Sequence, residues 1–163
     1  MAKNKEEKTN VMRVLEQKKI TYTAHTYPHE EGVAVDGVTV ARSMGFDPAS
    51  VFKTLVARGA SKQYYVFDVP VAANLDLKKA AKAVGEKSIE MLHQKELLPL
   101  TGYVHGGCSP VGMKKLFPTV IDASAENLET MIVSAGKIGY QVELSPRDLA
   151  ALVRAKFADI IVE

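Results

Sequence analysis

The chain has 163 residues, of which 47% are hydrophobic and 25% charged, close to the average of globular domains. Its length fits one domain with a packed core, and its single Cys excludes an intrachain disulfide framework. With 21 basic and 19 acidic residues, the net charge of +2 argues against binding long nucleic acids through charge alone. No apolar run approaches the ~18 residues of a membrane-spanning helix, and no signal peptide is evident. We therefore expect a cytoplasmic protein that does not bind membranes.

Residues 1–10 are expected to be flexible, and residues 11–163 are expected to form a single domain. The first part of this domain combines helix caps, alternating strand positions and turn residues. The pattern predicts a helix capped by Asn10 and running to about Lys19, a strand over 20–25, a loop over 28–37, a helix over 38–44 and a single turn at Asp47 and Pro48.

The clearest local feature is a β-hairpin, with strands over 51–57 and 63–69. Helices and strands then alternate irregularly. They are a lysine-rich helix from Asp76 to Gly85, a strand over 88–92, a helix over 94–98, strands over 103–105, 119–122, 130–134 and 140–144, a helix starting at Ser145 and a strand over 157–162. This order lacks a regular βαβ repeat, and it predicts an α/β or α+β domain with a mixed, strongly curved sheet.

Lys53 interrupts a strand of mainly apolar residues. A period of two places it on the face shared by Val51 and Leu55. A lysine among apolar neighbours is rarely fully buried unless it is paired. Two interpretations are open: an edge-strand lysine that prevents aggregation, or a cation directed into a pocket toward a phosphate, carboxylate or developing oxyanion.

The segment 106–112, the glycine loop, contains three glycines. Glycine tolerates positive φ and lets a ligand approach the backbone, and successive N–H groups can form an anion-binding nest. Pro110 favours an extended Ser109, which would fix the directions of its hydroxyl and amide groups. Gly106, Gly107 and Ser109 are therefore candidate binding residues, and a tight structural turn is the alternative.

Cys108 lies in the same loop and raises the alternative of a cysteine hydrolase. A nucleophilic Cys needs a base within hydrogen-bond reach, and His105 is the only candidate nearby in the sequence. Three positions apart at a strand–loop junction, the two side chains are expected to point to opposite faces. A small buried thiol is the preferred interpretation. One Cys and four scattered His residues also indicate no metal site, and no cofactor is predicted.

Five short sequence motifs indicate a protein family when they occur together, although each motif alone is weak evidence. They are HTY at 25–27, FKTL at 52–55, NLDLKKAA at 74–81, GYVHGGCSPVGMKK at 102–115 and VSAGK at 133–137. In this order they resemble the YbaK/EbsC family, of the Cys-tRNA(Pro) deacylase type. Its members are free-standing relatives of the editing domain inserted in bacterial prolyl-tRNA synthetases. The resemblance extends over about 11–161.

The resemblance implies a barrel-like sheet with surrounding helices and a metal-free trans-editing deacylase. Such an enzyme hydrolyses the ester between a wrong amino acid and the 3′ acceptor end of tRNA. The implied substrate is mischarged Cys-tRNA(Pro), or alternatively Cys-tRNA(Cys), and the implied partner is prolyl-tRNA synthetase. Cys-specific members use the thiol of the substrate to attack its own ester carbonyl. The protein then only positions groups and stabilises charge.

The same resemblance assigns the site residues. It makes Lys53 the central catalytic residue, and it places Tyr27, Gly106 and Ser134 in the lining of the substrate pocket. Taken alone, Ser134 is a turn serine. The alternatives are a deacylase for another small mischarged residue such as Ala, and a non-catalytic module that binds tRNA 3′ ends or a synthetase.

Overall fold

A computed structural model describes residues 8–163, so most of the segment predicted to be flexible, residues 1–7, lies outside it. The helices are α1 (Asn10–Gln17), α2 (Gly37–Ser43), α3 (Leu77–Val84), α4 (Gln94–Thr101) and α5 (Pro146–Val153), with 3₁₀ turns at Pro48–Ser50 and Ala123–Asn127. The strands are β1 (Tyr22–Thr26), β2 (Phe52–Gly59), β3 (Tyr64–Pro70), β4 (Ile89–Met91), β5 (Thr119–Asp122), β6 (Met131–Ser134), β7 (Tyr140–Leu144) and β8 (Lys156–Ala158).

These strands form two open sheets. The larger has the order β4-β2-β3-β5-β8, antiparallel from β4 to β3 and parallel from β3 to β8. The smaller is antiparallel, with the order β1-β7-β6. The mixed α+β class is therefore confirmed, but the barrel-like sheet is not. An isolated bridge between Val51 and Ile132 is the only pairing between the sheets in residues 8–163.

The main core explains why closure into a barrel is unnecessary. Phe52 and Val66 of the larger sheet belong to one buried cluster with Val133 and Val142 of the smaller sheet, and Leu15 of α1 joins it. The opposite face of the larger sheet carries a second cluster, which includes Phe67 of β3 and Ala80 and Ala81 of α3. Two packed layers thus bury the apolar faces that closure would otherwise bury.

Three local predictions need correction. Thr9 caps α1, and Asn10 is its first residue: the Thr9 side chain accepts a hydrogen bond from the Met12 N–H. The segment 103–105 is a loop and not a strand, because a turn bond from the Gly107 N–H to the Val104 carbonyl replaces strand pairing. The last strand ends at Ala158. Within residues 8–163, no helix is both long and apolar enough to cross a membrane.

The hairpin of β2 and β3 positions the residues discussed below. Thr54 lies directly opposite Asp68, and Lys53 lies opposite Val69. On its other edge, β2 pairs with β4 only over Ala57–Gly59. On that side, residues 52–55 of β2 therefore have no partner strand in the described part of the chain. The side chains of these residues can border a cavity.

Candidate functional site

A cavity of about 240 Å³ lies along the open edge of β2. Its lining combines residues 51–55 with the loop before α2, the glycine loop and the ends of β6 and β7. This volume is slightly below the ~300–1,000 Å³ of drug-sized ligand pockets. The cavity therefore suits a small chemical group, such as one end of a larger ligand.

Lys53 is the cation of this cavity. Its side chain is half-buried, and burial lowers the pKa of its ammonium group. No side chain among residues 8–163 forms an ion pair or hydrogen bond with it. β2 is an inner strand of the larger sheet, so Lys53 is not an edge-strand lysine; β4 does not reach this part of β2, which borders the cavity. A partly desolvated ammonium without a counter-ion can bind a phosphate, a carbonyl oxygen or an oxyanion.

Tyr27 and Ser134 contribute to the cavity lining from opposite edges of the smaller sheet. Tyr27 follows β1, is 4% exposed and donates its backbone N–H to the Gly139 carbonyl at 3.0 Å. Burial raises the pKa of its phenol, so the phenol keeps its proton. The Ser134 hydroxyl accepts the Gly136 N–H at 3.1 Å, as a turn serine would, which leaves its own proton for a ligand.

The glycine loop contributes one of its three predicted binding residues to the lining. Gly106 borders the cavity and has a φ of +89°. Gly107 donates its N–H to the Val104 carbonyl at 3.0 Å, and Ser109 is fully buried, with its hydroxyl accepting the Val111 N–H at 3.2 Å. The structure thus brings Lys53, Tyr27, Gly106 and Ser134 together and leaves Gly107 and Ser109 outside the lining.

Cys108 and His105 both line the cavity, contrary to the expectation of opposite faces. The reason is that residues 103–105 do not form the predicted strand. Cys108 is 8% exposed, and burial, reinforced by the charge of nearby Asp68, raises the pKa of its thiol to about 12. Such a thiol is protonated at neutral pH, which disfavours the cysteine-hydrolase alternative.

Two polar residues at or beside the cavity, Asp68 and Gln141, have an oxygen without a hydrogen-bond partner among the described residues, and neither is predicted from the sequence. Gln141 lines the cavity and is buried, and its Oε1 has no hydrogen-bond partner among the described residues. Asp68 is fully buried beside the cavity wall, and its Oδ2 has no partner either. A charged residue inside the apolar run 64–70 could have drawn attention to Asp68, but Gln141 resembles any solvated position of an alternating strand.

No group of three or more His, Cys, Asp or Glu side chains in the described part of the chain is arranged to hold a metal ion. The groups that line the cavity include the Lys53 cation, the Asp36 carboxylate, the His105 imidazole, the Cys108 thiol, and hydroxyl and amide groups. These groups can bind and polarise an ester or a phosphate.

Comparison with known proteins identifies the family. Residues 32–152 match the model of the aminoacyl-tRNA editing domain. The chain is 45% identical over 161 residues to EbsC of Enterococcus faecalis, whose name describes a Cys-tRNA(Pro)/Cys-tRNA(Cys) deacylase, and the match covers 98% of both proteins. This chain therefore belongs to the aminoacyl-tRNA editing-domain family.

Two solved structures have a similar fold. A trans-editing enzyme for prolyl-tRNA synthetase superposes with a TM-score of 0.79 at 25% identity, covering 94% of this chain and 95% of that one. A hypothetical protein, APE2540, superposes with a TM-score of 0.82 at 21% identity, covering 93% and 99%, and this likeness shows the fold alone.

Proposed function

We propose that this protein is a trans-editing aminoacyl-tRNA deacylase that cleaves mischarged Cys-tRNA(Pro), and alternatively Cys-tRNA(Cys). The observation that carries the proposal is the unpaired, half-buried Lys53 ammonium in a small cavity lined also by Tyr27, Gly106 and Ser134. Membership of the editing-domain family and the 45% identity to EbsC support the substrate class.

Within the cavity, the Lys53 ammonium attracts the ester carbonyl oxygen, or a phosphate oxygen of the terminal nucleotide. The substrate thiol attacks the carbonyl carbon, which gains a bond to sulfur and loses its bond to the ribose oxygen. The thiol proton ends on that ribose oxygen, and water later opens the thioester ring. Lys53 stabilises the negative charge that develops on the carbonyl oxygen. This route requires no nucleophile from the protein, which agrees with the protonated state of Cys108.

The cavity is large enough to hold only one part of the substrate. About 240 Å³ accommodates the aminoacyl group, whereas the nucleotides of the acceptor end remain outside. With a net charge of only +2, the protein offers weak electrostatic attraction to the rest of the tRNA. We therefore propose prolyl-tRNA synthetase as the partner that presents the tRNA, in the cytoplasm.

A deacylation panel with Cys-, Ala-, Ser- and Pro-charged tRNA(Pro) tests the proposal. The Cys ester should be cleaved fastest, and the Ser ester poorly, because a hydroxyl attacks less readily than a partly ionised thiol. Equal rates for Cys and Ser would indicate an activated water. A faster Ala ester would assign the enzyme to another small residue, and no cleavage of any ester would indicate a binding module.

A further inference from the structure

Asp68 is an ionisable side chain buried beside the cavity with a specific partner. The Thr54 hydroxyl donates to its Oδ1 at 2.6 Å, and its Oδ2 has no partner in the described residues. Asp68 is 0% exposed. Burying a carboxyl group without full hydrogen bonding is costly, so such a group needs an explanation beyond packing.

The register of the hairpin shows where this pair points. Thr54 and Asp68 are directly opposite each other, so their side chains lie on the same face of the larger sheet. This face carries Phe52 and Val66, which pack in the same cluster as Cys108 of the glycine loop. Thr54 also lines the cavity, whereas Asp68, opposite it on β3, is not part of the lining.

The hydrogen bond to Asp68 fixes the chemical character of Thr54. A hydroxyl has one proton and two lone pairs. Because that proton is donated to Asp68 Oδ1, the hydroxyl can offer a cavity ligand only its lone pairs. No described residue donates a hydrogen bond to this oxygen. Thr54 is thereby an acceptor, and a charged donor binds such an oxygen more strongly than a neutral donor does.

We propose that Asp68 is a positioning residue that holds the Thr54 hydroxyl as an acceptor for the α-ammonium group of the bound aminoacyl ester. The inference rests on the proposed deacylase function and adds the recognition of the amino group. Adjacent residues of β2 point to opposite faces, so Lys53 and Thr54 act from different sides of the strand. The carbonyl oxygen of the ester binds Lys53 and the α-ammonium group binds Thr54. Together these two contacts fix the orientation of the ester in the cavity.

The test compares two esters of the same tRNA, cysteinyl and 3-mercaptopropionyl, which differ only in the amino group. Wild-type protein should prefer the cysteinyl ester in kcat/KM by roughly 10- to 100-fold, because hydrogen bonds to charged groups are strong. Thr54→Val and Asp68→Val should each lower this preference toward the ratio of the uncatalysed rates of the two esters, and the double variant should lower it no further.

Conservative variants separate positioning from a structural role. Thr54→Ser keeps the hydroxyl and Asp68→Asn keeps an acceptor for it, so both should retain most of the preference. Thr23→Val, on the exposed side of β1, is a remote control. If the Val variants slow both esters equally, or leave the preference at the wild-type value, the inference is wrong. If wild-type protein cleaves neither ester, the proposed deacylase function itself is wrong.

Discussion

Lys53 is the residue on which the catalytic proposal depends. Its ammonium is partly desolvated and has no counter-ion among residues 8–163, so its loss removes the only lysine or arginine of the cavity lining. We expect Lys53→Ala to lower kcat/KM by roughly 10²–10³, as for the loss of one charge-stabilising group. Deacylation of Cys-tRNA(Pro) and circular dichroism of the purified variant are the measurements.

Two controls make the Lys53 result specific. Lys18→Ala removes an equal charge from an exposed position outside the cavity and should leave the rate near wild type. Cys108→Ala alters the cavity itself but should also retain most activity, because a thiol with a pKa of about 12 is not a nucleophile at neutral pH. Near-normal activity of a folded Lys53→Ala would refute the catalytic role of Lys53. A folded but inactive Cys108→Ala would refute the substrate-thiol mechanism.

Asp68 makes the stability of the protein depend on pH in an unusual direction. Burial raises the pKa of its carboxyl group from 3.8 to about 7, although the Thr54 hydrogen bond opposes this rise. Between about pH 4 and pH 7, the folded state keeps a proton that the unfolded state releases, so the contribution of Asp68 to stability falls as pH rises. The whole difference corresponds to roughly 4 kcal/mol.

Asp68→Asn should remove this dependence. The difference in free energy of unfolding, variant minus wild type, should increase as pH rises from about 4 to 7. Above pH 7 this difference should stay constant. Urea unfolding of both proteins at several pH values between 4 and 8 is the measurement. A difference between the two proteins that stays constant over this range would mean that Asp68 is ionised with an ordinary pKa.

The sequence predicts individual site residues only where they violate a local pattern. Lys53 stands out because a lysine seldom occupies an apolar strand, and the structure places it in the lining of the cavity. Asp68 violates the local pattern in the same way, as a carboxylate within the apolar run 64–70. Gln141 violates no pattern: it becomes a cavity residue only because the register of β7 between β1 and β6 buries it. Such burial depends on contacts distant in sequence.

At the scale of elements, the glycine loop is the part of the cavity most sensitive to substitution. A Cβ on Gly106 would lie 2.7 Å from the Ala34 Cβ, and the residue has a φ of +89°. The loop that contains Ala34 also contributes Val35 and Asp36 to the cavity. We expect Gly106→Ala to lower kcat/KM on the order of 10²-fold, because small displacements of site groups have large effects.

Gly45→Ala is the matched control for this prediction. Gly45 has a similar φ of +81°, but a Cβ there would meet nothing within 4 Å. It should therefore lose about 1–2 kcal/mol of stability through backbone strain and keep its activity. Urea unfolding and deacylation rates of both variants distinguish strain from collision. Equal activity of the two variants would show that the contact with Ala34 is harmless.

The elements themselves were mostly predictable, because their signals are local. The hairpin of β2 and β3, the Asp76 cap of α3 and the Ser145 cap of α5 follow from turn residues, alternation and capping side chains. The predicted strand at 103–105 was wrong because Tyr103 is buried by packing between two loops: Cβ atoms on Gly112 and Gly136 would both collide with it. No pattern within three residues signals that packing.

At the scale of the whole molecule, the arrangement of the strands could not be derived from local signals. The parallel pairs of β3 with β5 and of β5 with β8 join segments that are far apart in the chain. A sequence with irregular alternation allows one curved sheet or two stacked sheets equally well. The choice of two sheets follows from which apolar faces pack together, and the shared core of β2, β3, β6 and β7 settles it.

The charge of the whole molecule predicts how it binds tRNA. Net charge is only +2, and the basic side chains are partly neutralised: Lys79 of α3 pairs with Asp159 at 3.0 Å and Glu163 at 3.6 Å. Exposed Lys78 and Lys82 remain on the same helix. We therefore expect contacts with only three to five phosphates, which at about −0.7 each gives a slope of log affinity against log salt of about −2 to −4.

Binding of a labelled acceptor-stem minihelix, measured between about 50 and 300 mM salt, gives this slope. For the Lys53→Ala variant, the magnitude of this slope should decrease by less than one, because a single lysine neutralises at most one phosphate. A slope steeper than about −6 would mean that the protein contacts much more of the tRNA than its charge suggests. In that case it would need no help in capturing tRNA, and the proposed role of prolyl-tRNA synthetase as the presenting partner would lose its physical basis.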